Sequence, residues 1–203
     1  IDEFISLENS SGAWHVTRSP ELIRVPLPNG LLRKEYYLNR RFKKADVIIS
    51  VPALKTHESA IVTGAIKNLA IGAAPPSIYA AHEGSAYRGD VIDHEHPGLA
   101  KWIHDFYLCR PADFAIMDGL QGLQNGPLPS SEKDQMNMRL ILASREAIAL
   151  DSVAAQVMGI NPQSVLYLHE LAKTRSISLS SIVVKGESIN AVKKPFSVKV
   201  PSK

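Results

Sequence analysis

The sequence is poor in cysteine: Cys109 is the single one in 203 residues. One thiol excludes an internal disulfide, a cysteine-rich zinc site and an iron–sulphur cluster held by this chain alone. Cys109 ends a segment with helical periodicity, so we interpret it as a buried structural thiol. No motif indicates a cofactor, whose identity stays unknown at this stage.

Long apolar runs are also lacking. No window approaches the ~18 consecutive apolar residues of a membrane span, and the first residues have neither the basic segment nor the apolar core of a signal peptide. We therefore expect a cytoplasmic protein without a membrane partner. The sequence begins at Ile1 rather than at a methionine, from which we expect a fragment or a processed chain.

Charge of one sign is not concentrated anywhere in the chain. The net charge is +3, and the basic residues are scattered rather than grouped with aromatic residues, so nucleic-acid binding is not indicated. A basic pocket for a small anion is compatible with this charge. Glycine-rich nucleotide-binding motifs and the serine-hydrolase elbow are absent, so neither class has positive support.

What is present is a recurring order of strand and helix patterns. Hydrophobic residues make up 45% of the chain and charged residues 21%, which is ordinary globular composition. We predict an α/β fold with a mixed, largely parallel sheet and helices on both faces, in a single domain. Within it, residues 1–44 form an N-terminal edge region with a hairpin, residues 45–190 the core, and residues 191–203 a surface tail.

The individual elements follow from periodicity and from stop signals. β-prone runs at Glu21–Pro28 and Lys34–Asn39 flank a Pro-Asn-Gly turn and predict the hairpin. The predicted core elements are a strand at Ala45–Val51, helices at Ser59–Ala70 and Gly98–Cys109, strands at Phe114–Met117 and Met138–Ala143, helices at Ser144–Met158 and Pro162–Lys173, and a strand at Ser181–Lys185.

Polar side chains come directly after the predicted buried strands. Lys55, Thr56 and His57 follow the first strand, Asp118 ends the second and Ser144 follows the third. In open α/β sheets ligands bind beyond the carboxyl ends of strands, and a helix N-terminus there attracts negative charge. The pattern predicts a site for a phosphate or a carboxylate, although a surface turn is an equally good interpretation of the Lys55–His57 segment.

The helix that follows offers two further polar residues. Thr63 and Lys67 are four residues apart and share a face, as do Gly64 and Asn68. Lys67 and Asn68 either contribute to the same site or form the solvent side of an amphipathic helix.

The segment from Ala73 to His96 has no sustained period and is rich in metal-ligand residue types: His82, Glu83, Asp93, His94 and His96. Their spacing matches no tight zinc pattern. The segment is a solvated loop, a metal site, or a lid whose His82 reaches the main pocket. A neutral imidazole of His57 or His82 is suited to proton transfer near pH 7.

Asp151 lies in a helix that is apolar on nearly every side. A buried carboxylate is costly unless it is paired or accepts strong hydrogen bonds. Its partner is either a backbone N–H group or one of the two lysines, Lys55 and Lys67.

In order, the strings VPALKTH, TGAIKNLAIG, MDG, NGP and AIALDSVAAQVMGI resemble the family called domain of unknown function 362, over roughly residues 45–159. The resemblance points to Lys55, Thr56, His57, Lys67, Asn68, His82, Asp118, Gly119, Gly126, Pro127 and Asp151. Some members of this family are fused to ferredoxin-like modules that bind iron–sulphur clusters. The resemblance therefore implies that the protein works with a redox partner. The family's upstream Lys-Pro-Asn segment is missing here, and Gln124 stands where an acidic residue is expected.

Three functional hypotheses follow. The first is a redox-linked enzyme that binds a small anionic substrate and receives electrons from an iron–sulphur protein or domain. The second is a non-catalytic binding or assembly module for an iron–sulphur partner. The third is a metal-dependent hydrolase that uses the His-rich segment. The candidate catalytic residues are His57, His82 and Asp118, and the candidate substrate-binding residues are Lys55, Thr56, Lys67, Asn68 and Asp151.

Overall fold

The computed structural model of the chain describes residues 21–79 and 98–199. The strands are β1 (Leu22–Pro26), β2 (Glu35–Asn39), β3 (Ile49–Ser50), β4 (Ala53–His57), β5 (Ile61–Thr63), β6 (Phe114–Leu123) and β7 (Gln135–Ser144). The helices are α1 (Arg40–Lys44), α2 (Ala65–Gly72), α3 (Pro76–Tyr79), α4 (Gly98–Cys109), α5 (Ala147–Val157), α6 (Leu166–Thr174) and α7 (Ile189–Val192).

The main sheet is built around β6. Strand β7 pairs with one edge of β6 in the antiparallel direction, and β3 and β4 follow each other along its other edge in the parallel direction. Strand β5 adds an antiparallel pairing outside β4. The strand predicted at Ala45–Val51 is observed only as β3. Pro52 separates β3 from β4 because it has no N–H to donate, while its carbonyl accepts from Asp118 N–H at 2.9 Å. The mixed α/β class predicted from the sequence is confirmed.

The described helices cover one face of this sheet. Helices α2, α4, α5 and α6 contact one another and enclose a core with Leu54, Ala115 and Met117. Burial alternates along β6, so its opposite face is the more exposed one. Apolar side chains on that face are exposed: Ile49, Val51, Ile116, Leu120 and Ile141. The β-branched run at Ala45–Val51 predicted a strand covered on both faces, since a sequence pattern records hydrophobicity and not what lies against it.

The predicted N-terminal hairpin is confirmed by the antiparallel pairing of β1 with β2. It packs on α4, where the Tyr36 ring meets Trp102 and Phe106 edge to face. Asp105 of α4 fixes the turn, because its carboxylate accepts the N–H groups of residues 31–33 and the Tyr36 hydroxyl. An acidic residue on the apolar face of α4 therefore has a structural role.

The C-terminal part departs from the predicted pattern. Residues 181–185, predicted as a strand, form no strand pairing. Most of residues 191–199 are at the surface as expected, but Phe196 is buried where its ring lies over Gly122. Phe196 N–H donates to the Met158 carbonyl at 2.9 Å. One aromatic side chain thus docks the tail onto the domain.

Within the part of the chain that the structure describes, no helix is both long enough and apolar enough to span a membrane.

Candidate functional site

The segment Lys55–His57 lies inside a hairpin rather than at the mouth of a helix. β4 and β5 pair in the antiparallel direction, with Lys55 opposite Thr63 and His57 opposite Ile61. The helix predicted from Ser59 begins instead at Ala65. The β-branched run at residues 61–63 favours a strand, and its apolar spacing is short enough to fit either period.

The N-terminus of α2 is occupied by Asp151 of α5. Its carboxylate accepts Ala65 N–H at 2.7 Å and Ile66 N–H at 3.1 Å. Burial raises the pKa of Asp151 to about 7, against the lowering effect of the two N–H donors. The sequence left open whether Asp151 pairs with a backbone N–H group or with a lysine, and the structure shows backbone N–H groups as its partners. Since Asp151 has no exposed surface, it is placed to support α2 and not to contact a ligand.

Thr56 was also a candidate substrate-binding residue, and it is completely buried. Its hydroxyl accepts Gly126 N–H at 3.2 Å and lies 3.3 Å from the Ser197 carbonyl, to which it donates. A Cβ atom on Gly126 would lie 2.2 Å from the Thr56 carbonyl oxygen, which explains a glycine there. Thr56 thus joins β4 to the 124–127 loop and to the tail.

His57 holds the turn of the same hairpin. Ser59 N–H and Ala60 N–H donate to its Nδ1 atom at 3.1 and 3.3 Å. An imidazole that accepts at Nδ1 carries its proton on Nε2 when neutral, so Nδ1 can take up a proton only if these two contacts are lost. This geometry opposes the predicted role of His57 as a general base.

Lys55 and Lys67 form the most unusual electrostatic feature of the site. Lys67 is buried to 8% exposure, and Lys55 is half-buried. Burial, and then the charge of Lys55, lower the pKa of Lys67 to about 8. Within residues 21–79 and 98–199, neither lysine makes an ion pair. Two adjacent cations without a carboxylate between them are costly, and an anion would relieve that cost.

A buried hydroxyl lies beside this pair. Thr63 is directly opposite Lys55 in the hairpin, so their side chains are neighbours on one face, and it is 8% exposed. Its Oγ1 atom is buried and has no hydrogen-bond partner among the described residues. A buried polar group of this kind costs free energy unless a ligand or water satisfies it. We call Lys55, Thr63 and Lys67 the basic cluster.

Backbone strain occurs next to the basic cluster. Ile61 has a φ of 65°, a conformation that β-branched residues rarely adopt. Such strain costs ~1–3 kcal/mol and is found preferentially near functional sites.

The other candidates lie around the cluster without joining it. Asn68 is exposed and donates to the Ser50 hydroxyl at 3.2 Å. Asp118 is exposed on the open face of the sheet, where its carboxylate accepts Leu120 N–H at 2.9 Å. No ion pair of Asp118 with either lysine occurs in the described ranges.

The predicted lid or metal site falls outside the described residues. This concerns His82, Glu83, Asp93, His94 and His96. Among the residues that are described, no group of three or more potential metal ligands occurs. Cys109 is buried as expected, and burial raises the pKa of its thiol to about 12, which leaves it unreactive near neutral pH.

Sequence reasoning missed two functional features of this region. Thr63 was placed on one helix face with Lys67 and was given no role, whereas it lies in β5 opposite Lys55. Gly64 matters because a Cβ atom there would lie 2.2 Å from Asp151 Oδ1. Nothing in the local sequence shows that contact, since 87 positions separate the two residues.

Fold and site together define a mixed α/β protein whose sheet carries a basic cluster that makes no ion pair within the described part of the chain. Residues 7–156 match the family described as "Domain of unknown function (DUF362)", which is more than half of the chain. The chain belongs to this family.

A relative in Synechocystis sp. is called "Thylakoid-associated protein sll1697". It is 26% identical over 134 residues, which cover 63% of this chain and 37% of the relative. The chain therefore spans little more than a third of that relative's length. No solved structure matches the chain.

Proposed function

We propose that this chain binds a small anion at the basic cluster of Lys55, Thr63 and Lys67. The observation that carries the proposal is the buried Lys67, which lies beside a second cation and has no ion pair in the described parts of the chain. This arrangement does not favour the stability of the fold, because a buried charge without a partner costs several kcal/mol.

The chemistry of the cluster favours a carboxylate or phosphate group. Two ammonium groups supply charge-assisted hydrogen bonds, and the Thr63 hydroxyl supplies a neutral donor. Asp151 supports the site indirectly. It fixes the start of α2 and hence the position of Lys67 two residues later. In this proposal Thr56 and His57 shape the hairpin that carries Lys55, and they do not contact the ligand.

Titration with inorganic phosphate and with acetate tests the proposal, followed by NMR or calorimetry. We expect Lys55→Met and Lys67→Met each to weaken binding roughly tenfold or more, since a charged hydrogen bond contributes about 1.5–3 kcal/mol. Lys173→Met is the matched control, because Lys173 is an exposed lysine at the end of α6. Affinities that are equal in all four proteins would show that binding occurs elsewhere.

The redox part of the functional hypothesis rests on the family resemblance alone. In that proposal the anion is the substrate of an enzyme, Asp118 and His82 assist it, and an iron–sulphur protein or domain supplies electrons. Purified protein mixed with a reduced ferredoxin and a panel of small organic anions would reveal anion-dependent reoxidation. A stable ferredoxin complex without reoxidation would favour the alternative of an assembly module.

A further inference from the structure

Lys67 combines two properties that a nucleophilic lysine requires. It is buried, and the charge of Lys55 acts on it, so its ammonium form is disfavoured. The pKa of Lys67 near 8 leaves a substantial neutral fraction at slightly alkaline pH, whereas an ordinary lysine remains almost fully charged. Desolvation and a neighbouring cation are how proteins activate a lysine amine towards carbonyl compounds.

We propose that Lys67 forms a Schiff base with the carbonyl group of a small 2-oxo acid, whose carboxylate binds Lys55 and the Thr63 hydroxyl. This inference rests on the proposed function, since the carboxylate is the anion that the basic cluster binds. It adds the substrate class and a covalent step at one named atom, Lys67 Nζ.

The class of ligand follows from how the cluster is arranged. Lys55 and Thr63 are cross-strand neighbours, and the charge of Lys55 acts on Lys67, which follows Thr63 by four residues at the start of α2. A ligand that bonds all three must carry its anionic group close to its carbonyl carbon. In a 2-oxo acid these groups are directly bonded. The buried Thr63 Oγ1, which has no partner in residues 21–79 and 98–199, is suited to donate to the carboxylate.

The covalent step balances without an oxidant or a reductant. The neutral Nζ atom attacks the carbonyl carbon, so a C–N bond forms, the C=O π bond breaks, and one amine proton passes to the oxygen to give a carbinolamine. The C–O bond then breaks and the oxygen leaves as water with the second amine proton, which gives the C=N bond of the imine. Protonated Lys55 is placed to stabilise the carboxylate throughout.

Trapping with sodium borohydride tests the inference. The protein is incubated with pyruvate and borohydride, digested, and analysed by mass spectrometry for a carboxyethyl group on lysine. We expect the modification on Lys67 and at least tenfold less on every other lysine. Lys67→Arg retains the positive charge but cannot form the adduct, so the modification should disappear. Lys55→Met should lower the yield at subsaturating pyruvate while leaving Lys67 as the modified residue.

A parallel titration separates this inference from the proposed function. Acetate has the carboxylate but no ketone, so it reports on anion binding alone. If acetate binds at the cluster and pyruvate leaves no adduct on Lys67, the Schiff base is overturned and the anion site stands. If neither acetate nor pyruvate binds at the cluster, both are overturned. Adducts spread evenly over the exposed lysines would also overturn the inference.

Discussion

The carboxylate of Asp151 occupies the space that a side chain on Gly64 would need. A Cβ atom built on Gly64 lies 2.2 Å from Asp151 Oδ1, far inside van der Waals contact. Because Asp151 also accepts the first N–H groups of α2, this pair sets the distance between α5 and the end of the β4–β5 hairpin. Lys67 follows three positions after Gly64, so the position of Lys67 in the basic cluster depends on the contact between Gly64 and Asp151.

The close approach at Gly64 predicts that Gly64→Ala is destabilising. The added methyl group must displace a fully buried carboxylate, and such overpacking costs roughly 1–3 kcal/mol. Gly72→Ala is the control: a Cβ atom there meets nothing within 4 Å, and alanine in a helix is favoured over glycine by up to about 1 kcal/mol. Urea unfolding of both variants measures the difference. Equal midpoints for the two substitutions would contradict the contact.

Removal of the Asp151 carboxylate is expected to destabilise α2. In Asp151→Ala the N–H groups of Ala65 and Ile66 become buried donors without acceptors, at about 1–3 kcal/mol each, and a cavity is added. Asp151→Asn keeps one carbonyl acceptor and should lose less.

The matched control for the two Asp151 substitutions is Asp118→Asn, because Asp118 is an exposed aspartate. Hydrogen exchange at Ala65 and Ile66 gives the local readout. Unchanged protection of those two amides in Asp151→Ala would show that the carboxylate does not hold the helix.

Thr56→Val is expected to loosen the loop at Gly126 and the tail at Ser197. Valine has nearly the shape of threonine but offers no acceptor to Gly126 N–H, which costs about 1–3 kcal/mol. Thr56→Ser retains the hydroxyl and should behave like the wild type in amide exchange at Gly126. Acetate affinity should be unchanged in both variants, and a selective loss in Thr56→Val would restore Thr56 as a ligand-binding residue.

The pH dependence of stability should carry a contribution from Lys67. The folded-state pKa of about 8 lies below the usual value of 10.5, so between these values the unfolded chain holds a proton that the folded protein has released. Stability attributable to this group therefore rises with pH through that window, by on the order of 2–3 kcal/mol in total. It is lost as pH falls through the folded pKa.

Comparison with Lys67→Met isolates the contribution of Lys67 to the pH dependence of stability, since the methionine side chain does not titrate. The wild type should gain stability relative to that variant as the pH is raised from 8 to 10.5 in urea unfolding, and Lys173→Met should follow the wild type. Parallel curves for wild type and Lys67→Met would mean that Lys67 titrates normally. Acetate affinity should fall over the same pH interval, because the anion favours charged Lys67.

Local signals in the sequence were sufficient for several elements. The Pro-Asn-Gly turn between two β-prone runs predicted the β1–β2 hairpin, and apolar spacing with a final glycine predicted α5. Short ambiguous runs were not sufficient. Residues 61–63 fit the apolar spacing of a helix, but they pair with β4 as a strand, because cross-strand contacts outweigh local propensity over three residues.

For the candidate site, the sequence identified residue types and the structure assigned their partners. Lys55 and Lys67 were singled out from their positions, and the structure places their charges close enough to interact. Thr56 and Asp151 were expected to meet a ligand, whereas their polar atoms meet backbone groups at Gly126, Ala65 and Ile66. A buried polar side chain is equally compatible with both uses when only its neighbours in sequence are known.

The sequence by itself determined the α/β class, the hairpin and the basic character of the Lys55–Lys67 region, because composition, periodicity and turn residues act locally. Only the tertiary structure decided that Asp151 of α5 accepts the first N–H groups of α2, that Phe196 docks the tail, and that apolar side chains are exposed on one face of the sheet. Each of these depends on which distant segments meet. Contacts between residues far apart in the chain are fixed by the packing of the whole core, which no local pattern encodes.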